Sequence, residues 1–197
     1  MARRIWIAVS ALALVAGCER KPTVSSAAPP PAETPAPAAE PRPPTYPPVE
    51  PKPPGSPGAL PDDRTPISEA PFSPPSAQGA ADVVQRYFAF VESRRYDEAR
   101  ALWSDGGRAG GPNAQAFATR FADYLEYHGL VGAPGQIEGA AGSLYVQIAV
   151  QVYGRRKDGR ELHELGSVTL RRVNDVPGST PEQRLWRITE VELTPAA

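Results

Sequence analysis

The chain has 197 residues, with 21 Lys and Arg set against 22 Asp and Glu, 25 prolines and one cysteine. A balance so near zero implies neither the basic stripe by which a protein holds nucleic acid nor a strongly acidic face, so no nucleic-acid partner is expected. One thiol excludes an internal disulfide and a cysteine-cluster zinc site; no Gly-rich phosphate loop, nucleophile elbow or His-x-x-x-His pattern appears either, so neither a metal nor a cofactor is expected.

The chain opens on Met1-Ala2-Arg3-Arg4, runs through an apolar stretch from Ile5 to Ala16, and reaches Gly17-Cys18. A basic start, a short apolar run and small residues at its end are the parts of an export signal. The run falls short of the roughly 20 apolar residues that a spanning helix needs. Its end, Leu14-Val15-Ala16-Gly17-Cys18, resembles the lipobox of bacterial lipoproteins, with Val15 where Leu is commonest. The resemblance implies a signal peptide over 1–17, cleavage between Gly17 and Cys18, and a lipid (diacylglycerol, palmitate-type) on the Cys18 sulfur. Glu19 stands next, where an Asp would hold such a protein back. In a Gram-negative host that resembles lipoproteins forwarded to the outer membrane, so the expected address is the cell envelope and, in such a host, the outer membrane facing the periplasm in preference to the inner membrane.

Between Glu19 and Gln78 lie 20 of the 25 prolines, among Ala, Glu, Ser and Thr. Such a segment buries too little apolar surface to offset its ordering entropy. Residues 18–78 are therefore expected to form a disordered, lipid-anchored tether with polyproline stretches, reaching about 190 Å if fully extended. Pro41-Arg42-Pro43-Pro44 and Pro48-Val49-Glu50-Pro51-Lys52 look like ligands for aromatic grooves that hold polyproline helices, although a plain spacer is the favoured reading.

A folded domain is expected over 79–197, a normal size for one core. Val83, Val84, Tyr87, Phe88 and Val91 recur at the spacing of one helix face. A shorter helix follows over Tyr96–Trp103. Glycines at 106–111 break the chain, and Asn113 caps a third helix. Its apolar stripe is Ala114, Phe117, Ala118, Phe121, Tyr124, Leu125 and His128, with Gly129 as the stop. The period then changes to two. Gln136–Gly139 reads as a short strand, and Leu144–Tyr153 as a long one in which Leu144, Val146, Ile148, Val150 and Val152 alternate with polar or aromatic residues. Asp158-Gly159 makes a hairpin turn. Glu161–Val173 and Leu185–Leu193 complete an antiparallel meander. The fold class is α+β, with three N-terminal helices packed on a curved antiparallel sheet.

Tyr87-Phe88, then Tyr96-Asp97, Ala99 and Leu102-Trp103, resembles the opening of nuclear-transport-factor-2-like domains, the SnoaL and ketosteroid-isomerase kind included. The resemblance covers residues 79–197 and implies a cone-shaped fold. It also implies that any site lies inside the cone. The candidate pocket is Trp103, Tyr124, His128, Glu138, Tyr145 and Trp186, with no residue assigned as catalytic. As plain structure, the aromatics are core, His128 closes a helix and Glu138 sits on a solvated edge. His163 is expected on an exposed strand face, and Arg155 to Arg160 is read as a charged turn. The favoured function is a non-enzymatic binding or scaffold domain on a long tether, whose partner is an envelope protein or a second copy. A carrier of a small apolar ligand is the alternative. An enzyme acting on that ligand by proton transfer ranks below it, because the acid–base inventory is sparse.

Overall fold

The structure, a computed structural model, describes residues 44–62 and 72–196. The expected signal peptide, Gly17, Cys18 and the tether before residue 44 lie outside the described residues. In chain order the elements are α1 (Ala77–Glu92), α2 (Tyr96–Ala101), a short 3-10 segment (Asp105–Gly110), α3 (Ala114–Thr119), β1 (Tyr124–Pro134), β2 (Glu138–Ala140), β3 (Ser143–Arg156), β4 (Glu161–Val173) and β5 (Arg187–Pro195).

Helix α1 starts where the Ser76 side chain accepts a hydrogen bond from the Gly79 amide. That cap satisfies one of the donors a helix N-terminus leaves free. Its stripe buries Ala80, Val83, Val84, Tyr87, Phe88 and Val91 against the sheet, as the period requires. The end of α2 is sewn to β5: the Ile188 amide donates to the Leu102 carbonyl, and the Ser104 amide donates to the Ile188 carbonyl. Asn113 caps α3 through the Ala116 amide at 2.8 Å.

The sheet is antiparallel, in the order β1-β3-β4-β5, with β2 pairing the start of β3. Every pair of facing residues shares a side of the sheet. Val146, Ile148, Val150 and Val152 of β3, Val168 and Leu170 of β4 and Ile188 of β5 point toward the helices and are buried. Tyr145, Gln147, Ala149, Gln151 and Tyr153 point to the outer face. The architecture is α+β, helices on one side of a single antiparallel sheet.

Two expectations need correction. The third helix ends at Thr119, and Tyr124, Leu125 and His128 stand on strand β1. The positions that mimic a helical stripe also let Tyr127, Gly129 and Val131 face inward with a period of two. Pairing with β3 decides between the periods. Gly129 is no helix stop: it sits mid-strand because a Cβ there would run into the Phe88 ring of α1.

The second correction concerns the tether. Residues 44–62, expected to hang free, lie against the outer face, burying Val49, Ala59 and Leu60. The Leu60 amide donates to Gln151 Oε1 at 3.3 Å, and Arg155 Nη2 donates to the Pro47 carbonyl at 2.9 Å. A proline-rich segment can order at this small entropic cost because its φ angles are already restricted.

Candidate functional site

The six candidate pocket residues do not converge. Trp103 and Trp186 are core: Trp103 meets Tyr87 and Phe117 edge-on at 6.2 and 6.5 Å, and Trp186 Nε1 donates to the Ser76 carbonyl at 3.1 Å. Glu138 is exposed on β2, facing Tyr145 across the strands. Tyr145 in turn stands opposite Arg171 on the outer face. His128 is opposite Tyr153, stacked on it at 5.1 Å, and its Nδ1 lies 2.9 Å from Glu92 Oε1. Tyr124 is opposite Arg156, near the far end of β3. From Tyr145 to Arg156 the strand advances about 35 Å at roughly 3.3 Å per residue, so no single small molecule touches both ends.

What the structure does bring together is a different set, on the inner face. Tyr127 and Glu164 point inward, because each pairs with a residue (Gly154 and Val152) on the helix-facing side of β3. Arg156 donates to the Tyr124 hydroxyl at 3.4 Å and lies over its ring. The rings of Tyr124 and Tyr127 meet edge-on at 5.1 Å, and Tyr127 meets Phe121 at the same distance. Burial pushes the Tyr127 phenol up, aided by the nearby Tyr87, Glu164 and Tyr124. Burial also raises Tyr87, with the Arg120 charge opposing. The Glu164 carboxyl is raised by its half-burial and lowered by Arg156. Glu164 was missed in the sequence because its neighbours Glu161 and His163 are polar. Its parity with Leu162, Val168 and Leu170 is the signal that would have found it.

The hollow nearest Tyr124 and Tyr127 is small. It is a half-open cleft between the end of α1 and the start of β1, lined by Val91, Glu92, Arg94, Tyr96, Phe121, Tyr124, Leu125 and Tyr127, and it holds about 20 Å³. That suffices for a water and not for a metabolite. Deeper in, Tyr87, Trp103, Phe117 and Phe121 fill the volume with ring-to-ring contacts. A second hollow of about 340 Å³, bounded by Gln85, Phe88, Ala89, Glu92 and Gly129 to Val131, is a wide-open groove along α1. Among the described residues no group of three or more His, Cys, Asp or Glu is placed to hold a metal ion. Among them also, no helix is long and apolar enough to cross a membrane.

The basic run is less uniform than a charged turn. Arg155 is buried on the outer face, Arg156 reaches the inner tyrosines, and Lys157, Asp158 and Arg160 are exposed. His163 is only partly exposed, and its buried Nδ1 has no partner among the described residues.

Three solved structures are similar to this chain at low identity. A nuclear transport factor 2 (NTF2-like) superfamily protein from Salmonella enterica serovar Typhimurium is 14% identical, covering 61% of this chain and 91% of its own, with a TM-score of 0.43. Aln2 from a Streptomyces species is 16% identical over 64% of this chain and 94% of its own, with a TM-score of 0.40. A putative aromatic ring hydroxylase from Novosphingobium aromaticivorans is 16% identical over 64% and 96%, with a TM-score of 0.43. No protein-family model matches the chain, and no curated protein does. At these identities nothing about activity passes from those proteins to this one.

Proposed function

We propose that this chain is a lipid-anchored protein of the cell envelope, attached through Cys18, whose nuclear-transport-factor-2-like domain is a non-enzymatic binding module. The observation that carries the second half is the ring-packed core: Tyr87, Trp103, Phe117 and Phe121 meet ring to ring between helices and sheet, and Tyr127 packs on Phe121. A proton-transfer enzyme or a ligand carrier needs an enclosed, desolvated pocket for its substrate. The inward Glu164 and Tyr127 have the chemistry for proton transfer, yet neither of the two hollows described above is lined by both. The first half rests on the Leu14 to Cys18 resemblance, and in a Gram-negative host the outer membrane is the favoured address because Glu19 follows the cysteine.

The test is native mass spectrometry of the full chain, expressed in a bacterium and extracted in mild detergent. The expected mass is that of a chain beginning at Cys18, plus acyl groups that vanish in Cys18→Ser. A further few hundred daltons, lost on denaturation and kept in Cys18→Ser, would overturn the binding-module reading in favour of a carrier. An uncleaved, unacylated chain would overturn the anchor.

A further inference from the structure

Two buried polar side chains on the outer face have no reason to be there unless something extended lies across them. Gln151 is 1% exposed and Arg155 4%, although both stand on the side of β3 that points away from the core. Both are engaged by residues 44–62. Gln151 Nε2 donates to the Lys52 carbonyl at 3.4 Å, while its Oε1 accepts from the Leu60 amide. Arg155 Nη2 donates to the Pro47 carbonyl, and its guanidinium lies over the Tyr46 ring at 4.9 Å. The remaining Arg155 bonds, to the Gly159 carbonyl at 3.1 Å and Glu161 at 3.2 Å, hold that guanidinium in place.

The spacing has a simple reading. A polyproline strand advances about 3.1 Å per residue, so the carbonyls of Pro47 and Lys52 stand roughly 15 Å apart. Arg155 and Gln151 are four residues apart on β3, about 13 Å. Two donors on one strand thus match two acceptors on a segment running the opposite way along it. Polyproline carbonyls have no internal partners, so they are free to be read. After Lys52 the segment turns, with the Gly55 amide donating to the Leu60 carbonyl, and Leu60 returns to Gln151 near Gly132 of β1.

We infer that the outer face of β3 is a docking site for an extended proline-rich segment, occupied at rest by the chain's own residues 46–60. This deepens the binding-module reading by naming the partner's chemistry: a proline-rich strand presenting two carbonyls at this spacing, with an aromatic residue to lie under Arg155. The motif Pro48 to Lys52 lies against this face of its own chain, held by Gln151 at Lys52 and by Arg155 at the preceding Pro47. Two consequences follow. A partner of this class must displace the strap, and a second copy cannot pair through this face while the strap is in place.

The test uses the full chain with its strap released by Tyr46→Ala, Val49→Asp and Leu60→Asp, and a fluorescent peptide of residues 44–62. Far-UV circular dichroism first checks that the domain is folded. Released chain should bind the peptide at least tenfold more tightly than wild type, because a tethered strap competes at an effective concentration on the order of millimolar. Adding Gln151→Ala should weaken that binding at least tenfold. Equal binding by released and wild-type chains, no binding by a folded released chain, or equal binding of a proline-free peptide of the same length overturns the inference. Should the released chain unfold, wild type is cut at a protease site inserted between residues 62 and 72. The strap fragment should then stay bound and be displaced by excess peptide; immediate separation overturns the inference. None of these outcomes touches the mass measurement above, so the two readings fail separately.

Discussion

Replacing Gln151 by Leu separates a strapped face from an open one. The change keeps the side-chain volume and removes both polar ends, so the Leu60 amide and the Lys52 carbonyl lose their partner. Each bond contributes about 1 kcal/mol net, and these two are long, so together they contribute somewhat less than about 2 kcal/mol. The Leu60 amide then faces a methyl group at a buried position, adding a desolvation cost of about 1 kcal/mol. Burying Leu in place of Gln returns part of this. The expected loss is about 2 kcal/mol, or roughly 4–8 °C in Tm for a domain of this size. Gln147→Leu is the control: it lies on the same face of the same strand, two pairs along, and is exposed. Surface changes of that kind fall within about 0.5 kcal/mol. Urea unfolding of the full chain, followed by tryptophan fluorescence, reads both variants. If Gln151→Leu and Gln147→Leu cost the same, residues 44–62 do not lie on the sheet and the docking inference falls with them.

Other perturbations probe the core. A Cβ at Gly129 meets the buried Phe88 ring, so Gly129→Ala should cost about 1–3 kcal/mol by overpacking, measured by thermal melting. Asn113→Ala removes the α3 cap and should cost about 1 kcal/mol in the same assay. Glu164 carries a raised folded-state pKa, so its charge opposes folding above that pKa, and the opposition disappears as pH falls below the ordinary carboxylate value. Glu164→Gln should therefore raise the Tm at pH 8 and leave it nearly unchanged at pH 3; a gain that is larger in acid would show the sign to be wrong.

The strands that sequence reading recovered well are those whose pattern is set by one nearby surface. β3 alternates strictly from Leu144 to Tyr153, and β4 occupies the expected Glu161–Val173, because each residue's side follows from its neighbour's. β1 was illegible for the opposite reason. Tyr124, Leu125 and His128 continue the helical period of Phe117 and Phe121, and only the waiting edge of β3, further along the chain, turns them into a strand. The candidate pocket failed in a similar way. It gathered residues by type, whereas a site is gathered by face: Trp103 and Trp186 went to the core, Tyr145 and His128 to the outer side, and Glu138 to solvent. Gln151 was invisible altogether. Nothing within the strand shows that a segment about 90 residues upstream will cover it.

That cover changes what a proline-rich leader does for the protein. Composition alone assigns all of residues 19–78 to reach, about 190 Å at full extension. With residues 44–62 held on the sheet, the chain between Cys18 and Pro44 spans at most about 80 Å. Prolines are suited to both tasks, since a restricted φ keeps a spacer extended and also lowers the entropy lost on docking. If a competing proline-rich strand displaces the strap, as we infer, the tether lengthens as the face is freed. If Cys18 carries a lipid, as proposed, the domain would extend away from it when such a strand binds. The same peptide that competes for β3 should therefore increase the hydrodynamic radius of the full chain, whereas a free tether predicts no change.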